Sequence, residues 1–117
     1  MKRIVIITCP KADEVCTAAG CFSALNQRKS AFARYYGEEV ELEAFMKCSG
    51  CGHYPENDKG LQEKIQRILF LHPDAIHLGI CCCHDGKSRE LCKEIEVLVS
   101  LFQSHDIRVI RGTHSEF

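Results

Sequence analysis

Four short apolar runs, KRIVIITC, VELEAF, DAIHLGI and IRVIRG, alternate along the chain with three stretches of helical periodicity. Strands separated by helices of this length pair in parallel through right-handed crossovers, because each helix must pack back on the sheet it leaves. The first run, uninterrupted from Ile4 to Ile7, reads as a strand covered on both faces. The order βαβαβαβ predicts an α/β fold of three layers, with a four-stranded parallel sheet in the flavodoxin-like order 2-1-3-4. At 117 residues the chain is about one domain, 1–117, with one core and one main site.

The first helix is expected over 15–36, where Val15, Ala18, Phe22, Leu25, Phe32, Ala33 and Tyr36 fall near one stripe and Gly37 marks the stop. GLQEKIQRILFL aligns Leu61, Ile65, Ile68 and Leu69, and residues 88–105 align Leu91, Ile95, Leu98, Val99 and Phe102. In the expected order the first helix lies alone on its side of the sheet. The sheet near the last strand is then bare, and a homodimer would cover it. Phe32, Phe45, Phe70 and Phe102 are assigned to the core, His72 to a helix end and His77 to a strand. His53, His84 and His105 are assigned to solvent, with His53 and His84 close to the site.

Basic and acidic residues number 15 and 16, giving a net charge of -1, and they are interspersed. No electrostatic footprint for nucleic acid results. MKRIVIITCPK reads as a strand rather than a signal peptide, and no apolar stretch approaches a membrane span. The expected location is the cytoplasm, with neither nucleic acid nor membrane as a partner. Nine cysteines in a reducing compartment point to metal binding or redox chemistry rather than to a disulfide framework.

Ligands of an open parallel sheet bind beyond the carboxyl ends of its strands. Cys9 ends the first predicted strand, Cys48 and Cys51 follow the second, Cys81 to Cys83 end the third, and His114 follows the fourth. Cys16 and Cys21 open the first helix, and Cys92 lies near the start of the third. The expected metal ligands are therefore Cys9, Cys48, Cys51, Cys81 and His114, joined by Cys16, Cys21 and Cys92. Gly50 and Gly52 let the CSGCGH stretch fold back so that both its sulfurs face one point. Thr113 is expected to orient His114, a ligand or proton donor.

Eight donors exceed the four of one tetrahedral zinc. They imply two metal positions, a thiolate-bridged cluster, or one ion beside a redox dithiol. Thiolates favour zinc, copper(I) or iron–sulfur over harder ions; zinc is the expected cofactor and an iron–sulfur cluster the alternative. Side chains alternate along a strand, so strand geometry carried through 81–83 makes Cys81 a ligand and Cys82 a small core residue.

Two enzymatic readings compete with metal binding. CHDGKSR fits the Cys-x-x-Gly-x-x-Arg loop of cysteine phosphatases, with Cys83 as nucleophile, a helix N-terminus holding phosphate and Arg89 as clamp. Cys82 stands where that loop usually has histidine, Glu90 where it has Ser or Thr, and the remaining cysteines go unexplained. Cys48 and Cys51 could also form a thiol–disulfide oxidoreductase pair, although a loop rather than a helix follows them. Asp13, Glu14 and Asp85 are the carboxylates near the rim, and all three read as solvated loop residues.

The cysteine spacing resembles the CGGC domain, a family named for its cysteine motif and regarded as metal-binding. Cys9 is followed at seven and twelve residues by Cys16 and Cys21-Phe22, and the naming motif corresponds to Cys48-Ser49-Gly50-Cys51. Cys81 with Cys92 eleven residues on, and the closing Thr113-His114, complete the pattern. Ser49 replaces a glycine of the motif, and Thr17, Gly52 and Lys93 stand where the family has prolines. The resemblance implies a metal site rather than a reaction, in a sensor, carrier or redox auxiliary.

Overall fold

In a computed structural model that describes residues 1–83 and 89–117, four strands form one sheet: β1 (Lys2–Thr8), β2 (Val40–Lys47), β3 (Ala75–Leu78) and β4 (Arg108–Arg111). All three pairings are parallel and the order is β2-β1-β3-β4, as the alternation of strands and helices predicts. Three helices connect them: α1 (Ala19–Gln27), α2 (Lys59–Leu71) and α3 (Lys93–Ser104).

Alternation along β1 sorts the core into two layers. Val5 and Ile7 pack with Ile65 and Ile68 of α2 and with Ile95, Leu98 and Phe102 of α3. Ile4 and Ile6 face Cys21, Ala24 and Leu25 of α1 on the other side. Asp58 caps α2 by accepting the Leu61 N–H at 3.0 Å, and His53 braces that carboxylate at 2.6 Å. Among the described residues no helix is long and apolar enough to cross a membrane.

The helix expected over 15–36 is shorter. Ala18 is left-handed (φ 65°), α1 runs only to Gln27, and Arg28 (φ 54°) and Ser30 (φ 53°) turn the chain into a 3-10 segment, Ser30–Tyr35. The polar run from Asn26 to Ser30 has nothing to hold a continuing helix against the sheet. Breaking there lets Phe32 and Tyr35 reach Ala75 and Ile110. The sheet near β4 is therefore covered on this side from within the chain, which removes the bare surface that suggested a homodimer. Val15 and Tyr36, placed in the stripe by periodicity, are 88% and 85% exposed.

Three further expectations shift. Phe70 is not core but 84% exposed, because α2 turns Leu61, Ile65 and Ile68 inward. α3 begins at Lys93, not Ser88, with Cys92 at its N-cap and Glu94 and Glu96 in the first turn, where the helix dipole favours them. β3 ends at Leu78 and passes through Gly79 into a 3-10 turn, Ile80–Cys82, so strand alternation does not extend through the three thiols.

Candidate metal centre

The carboxyl ends of the strands deliver the thiols to one edge, but in two groups. The first surrounds Lys11, which the loop after β1 carries two residues beyond Cys9. Its ammonium lies 3.9 Å from the Cys92 sulfur. Charge on Cys92 first, then on Cys51, Cys9 and Cys48, would hold its proton more firmly once those thiols ionise. Cys9, Cys48 and Cys92 are buried, and Cys51 is exposed. Burial pushes the Cys48 thiol up to about 11, with the Cys9 thiol in hydrogen-bond contact beside it. Burial also raises Cys92, and the Lys11 charge opposes that rise.

Gly50 (φ 102°) and Gly52 (φ 85°) adopt the left-handed region in the loop of Cys48 and Cys51, which leaves Cys48 buried and Cys51 exposed. The Gly52 N–H donates to Glu94 at 2.8 Å, tying this loop to the first turn of α3 and holding the Glu94 carboxyl below its ordinary value. Lys64 of α2 donates to the Lys47 carbonyl at 2.8 Å and reaches the Ser49 hydroxyl at 3.4 Å. Both helices of one face thus hold the two cysteines at the edge.

The second group lies on the α1 side. The buried Cys21 sulfur is 3.1 Å from the Thr113 hydroxyl, and burial raises its thiol. The His114 ring lies over Gly20, where an added Cβ would come within 3.1 Å of it. Thr113 is buried and serves Cys21 rather than orienting the His114 imidazole, whose Nδ1 is 3.3 Å from the Ser115 hydroxyl. Cys16 precedes α1 instead of opening it, is exposed, and accepts the Ala18 N–H at 3.3 Å.

Cys81 stands between the groups. Its sulfur accepts the Cys9 N–H at 3.2 Å. Donation from the Cys82 thiol, followed by the Cys9 N–H, lowers its pKa, and its negative charge is felt by Cys21. Cys82 is fully buried, 3.5 Å from the Ile7 carbonyl, and its thiol is pushed up by its bond to Cys81 and by burial. It is the core residue expected, although a 3-10 turn and not strand alternation separates it from Cys81.

Cys83 is buried and bridges antiparallel to Leu91. Residues 84–88 of the phosphatase-like loop, with His84 and Asp85, lie outside the described residues. Its far end does not place Arg89 in a helix: Arg89 is left-handed (φ 60°), and α3 starts only at Lys93. Asp13 is not simply solvated, since it pairs with Lys47 at 2.9 Å.

As the side chains stand, no three His, Cys, Asp or Glu among the described residues are disposed to grip one ion. The donor chemistry nonetheless fits a soft metal: four sulfurs from three segments lie within electrostatic reach of Lys11, one of them at 3.9 Å, and three of the four are shielded from water. Sequence reasoning passed over Lys11, and it gave His77 a strand position but no role. Lys11 could have been noticed as an isolated base two residues after a rim cysteine. His77 is fully buried, with Nε2 2.8 Å from the Tyr35 hydroxyl and Nδ1 2.8 Å from the Gly112 carbonyl, which anchors the segment carrying Thr113 and His114. A histidine inside the apolar run AIHL was its signal.

The family profile of the CGGC domain matches residues 3–114, nearly the whole chain. The chain is also 30% identical to "Uncharacterized protein MJ0582" of Methanocaldococcus jannaschii, over 97% of this chain and 87% of that protein. No solved structure gives a significant match.

Proposed function

The chain belongs to the CGGC domain family, and on that premise we propose that it binds zinc through Cys9, Cys48, Cys51 and Cys92 at the carboxyl edge of its sheet. The observation that supports this most is the position of Lys11, whose ammonium lies 3.9 Å from the Cys92 sulfur and within electrostatic reach of Cys51, Cys9 and Cys48. A zinc ion with four thiolates carries a net charge of about -2, and an adjacent ammonium offsets part of it. When bound, the ion would supply a structural or exchangeable centre.

The chain's own residues determine how such an ion is taken up. Burial keeps Cys48 and Cys92 protonated, so binding displaces their protons and strengthens as pH rises. Cys51 is exposed on a loop with two left-handed glycines, so one ligand can leave while three stay in place. That suits a carrier or sensor that passes the ion on, working in the reducing cytoplasm where thiolates persist. Cys81, Cys21, Cys16 and His114, the remaining expected ligands, form a second set that could receive it.

The test is metal analysis and visible spectroscopy of anaerobically purified protein. About one zinc per chain is expected, with cobalt substitution giving sulfur-to-cobalt bands that vanish in Cys48→Ser and Cys92→Ser and survive in Cys16→Ser. A brown iron–sulfur chromophore would replace zinc while keeping the thiolate site. No bound metal, with nine reactive thiols, would overturn the reading.

A further inference from the structure

Beside the thiols, between the loop after β1 and the end of β2, lies a cleft of about 310 Å³. That is the liquid share of about ten waters. Its walls are of two kinds. Phe22 and Phe45, with ring centroids 5.3 Å apart, form an apolar side together with Ala12 and Ala18. Beside Phe45, on the same face of its strand, Lys47 forms an ion pair of 2.9 Å with Asp13, each side chain nearly half exposed. Among the described lining residues these are the one cation and the one anion. Two sulfurs, Cys9 and Cys16, and two threonines, Thr8 and Thr17, complete the lining.

We propose that this cleft binds a small α-amino acid bearing a thiol, its carboxylate on Lys47, its ammonium on Asp13 and its sulfur against the Phe22–Phe45 wall beside Cys9. A ligand with a single charge that enters here must part Lys47 from Asp13 and leaves one of them without a counter-charge. A zwitterion replaces both halves of the pair, so the exchange leaves no charge unmatched. Thr8 is buried and the Thr17 hydroxyl already accepts the Ala19 N–H at 3.3 Å, so the rings and thiols set the preference for a soft side chain, because sulfur packs well at aromatic edges and loses little hydration on entry. The cleft has room for a compact amino acid and a few waters, but not for a bulky peptide. The reading rests on the cleft's own charges and needs no ion at the thiols, so its failure is separable from failure of the zinc site.

Calorimetric titration of the full-length chain, anaerobic, reduced with a phosphine and treated with chelator, tests it directly. L-cysteine is expected to bind saturably at one site, and L-serine, cysteamine and 3-mercaptopropionate about tenfold or more weaker. Lys47→Met and Asp13→Asn, both at exposed positions, should each weaken L-cysteine about tenfold, the share of one partly exposed charge-assisted contact. Circular dichroism of both variants checks that they fold like the parent. Equal binding of the singly charged thiols would refute the zwitterion argument, and equal binding of L-serine would refute the thiol. Absence of saturable L-cysteine binding, or unchanged affinity in both variants, would overturn the site.

Discussion

His77 offers the sharpest test of the packing that positions the second thiol group. Its ring is fully buried between Phe32, at a centroid distance of 4.5 Å, and the hydroxyl of Tyr35. The Gly112 carbonyl can only accept, so Nδ1 carries the proton and Nε2 accepts from Tyr35. Burial is the largest cause that lowers its pKa from 6.5 to about 4, partly offset by the Gly112 carbonyl. The neutral ring therefore contributes stability that is fully present above about pH 6.5. That contribution is lost as pH falls toward 4, because the unfolded chain takes up the proton first. The gap from 6.5 to about 4, at about 1.4 kcal/mol per pH unit, amounts to roughly 3 kcal/mol. Urea unfolding of the reduced, chelated protein should show this loss between pH 7 and pH 4. In His77→Phe that part of the pH dependence should disappear, while stability at pH 7 falls by about 1–3 kcal/mol for each partner left without its hydrogen bond. Equal pH slopes for variant and parent, or an imidazole that titrates near 6.5 in the folded protein, would refute the assignment.

Removing the ammonium in Lys11→Met should weaken zinc about tenfold in competition with a chromophoric chelator, and unchanged affinity would remove the main support for the four-sulfur site. Gly20→Ala should stabilise the fold by up to about 1 kcal/mol through helix propensity, since the His114 ring it would meet is exposed and free to move; a shifted His114 imidazole resonance with a raised melting temperature is the expected pair of readings. Phe32→Ala should destabilise by about 3–5 kcal/mol in urea, whereas Phe70→Ser should stay within about 0.5 kcal/mol of the parent, reversing the equal core status assigned to these aromatics from sequence.

The strand order and the thiol edge were legible because both follow from chain direction: once four strands run parallel, every residue that follows a strand arrives at the same side. The division of that edge into two groups was not legible. It depends on loop paths of a few residues, such as the step after Cys9 that brings Lys11 back to Cys92 across 81 positions of sequence. Helical periodicity likewise ran past Arg28, because Phe32 and Tyr36 keep the right spacing whether or not the backbone stays helical. The left-handed turn there depends on a tertiary gain, burial of Ile110 and His77 under Phe32 and Tyr35.

These two unseen features are linked. The turn at Arg28 to Ser30 carries Tyr35 onto His77, His77 holds the Gly112 carbonyl, and the Thr113 carbonyl accepts the Ala31 N–H at 3.2 Å. Thr113 in turn meets Cys21, so the α1-side thiol is positioned by the core itself. Cys51, by contrast, hangs on glycines and one carboxylate. A thiol locked by the core suits a fixed ligand, and one on a hinge suits exchange; on the proposed zinc reading, the asymmetry makes Cys51 the ligand by which the ion would enter and leave, with Cys21 held in place by the core.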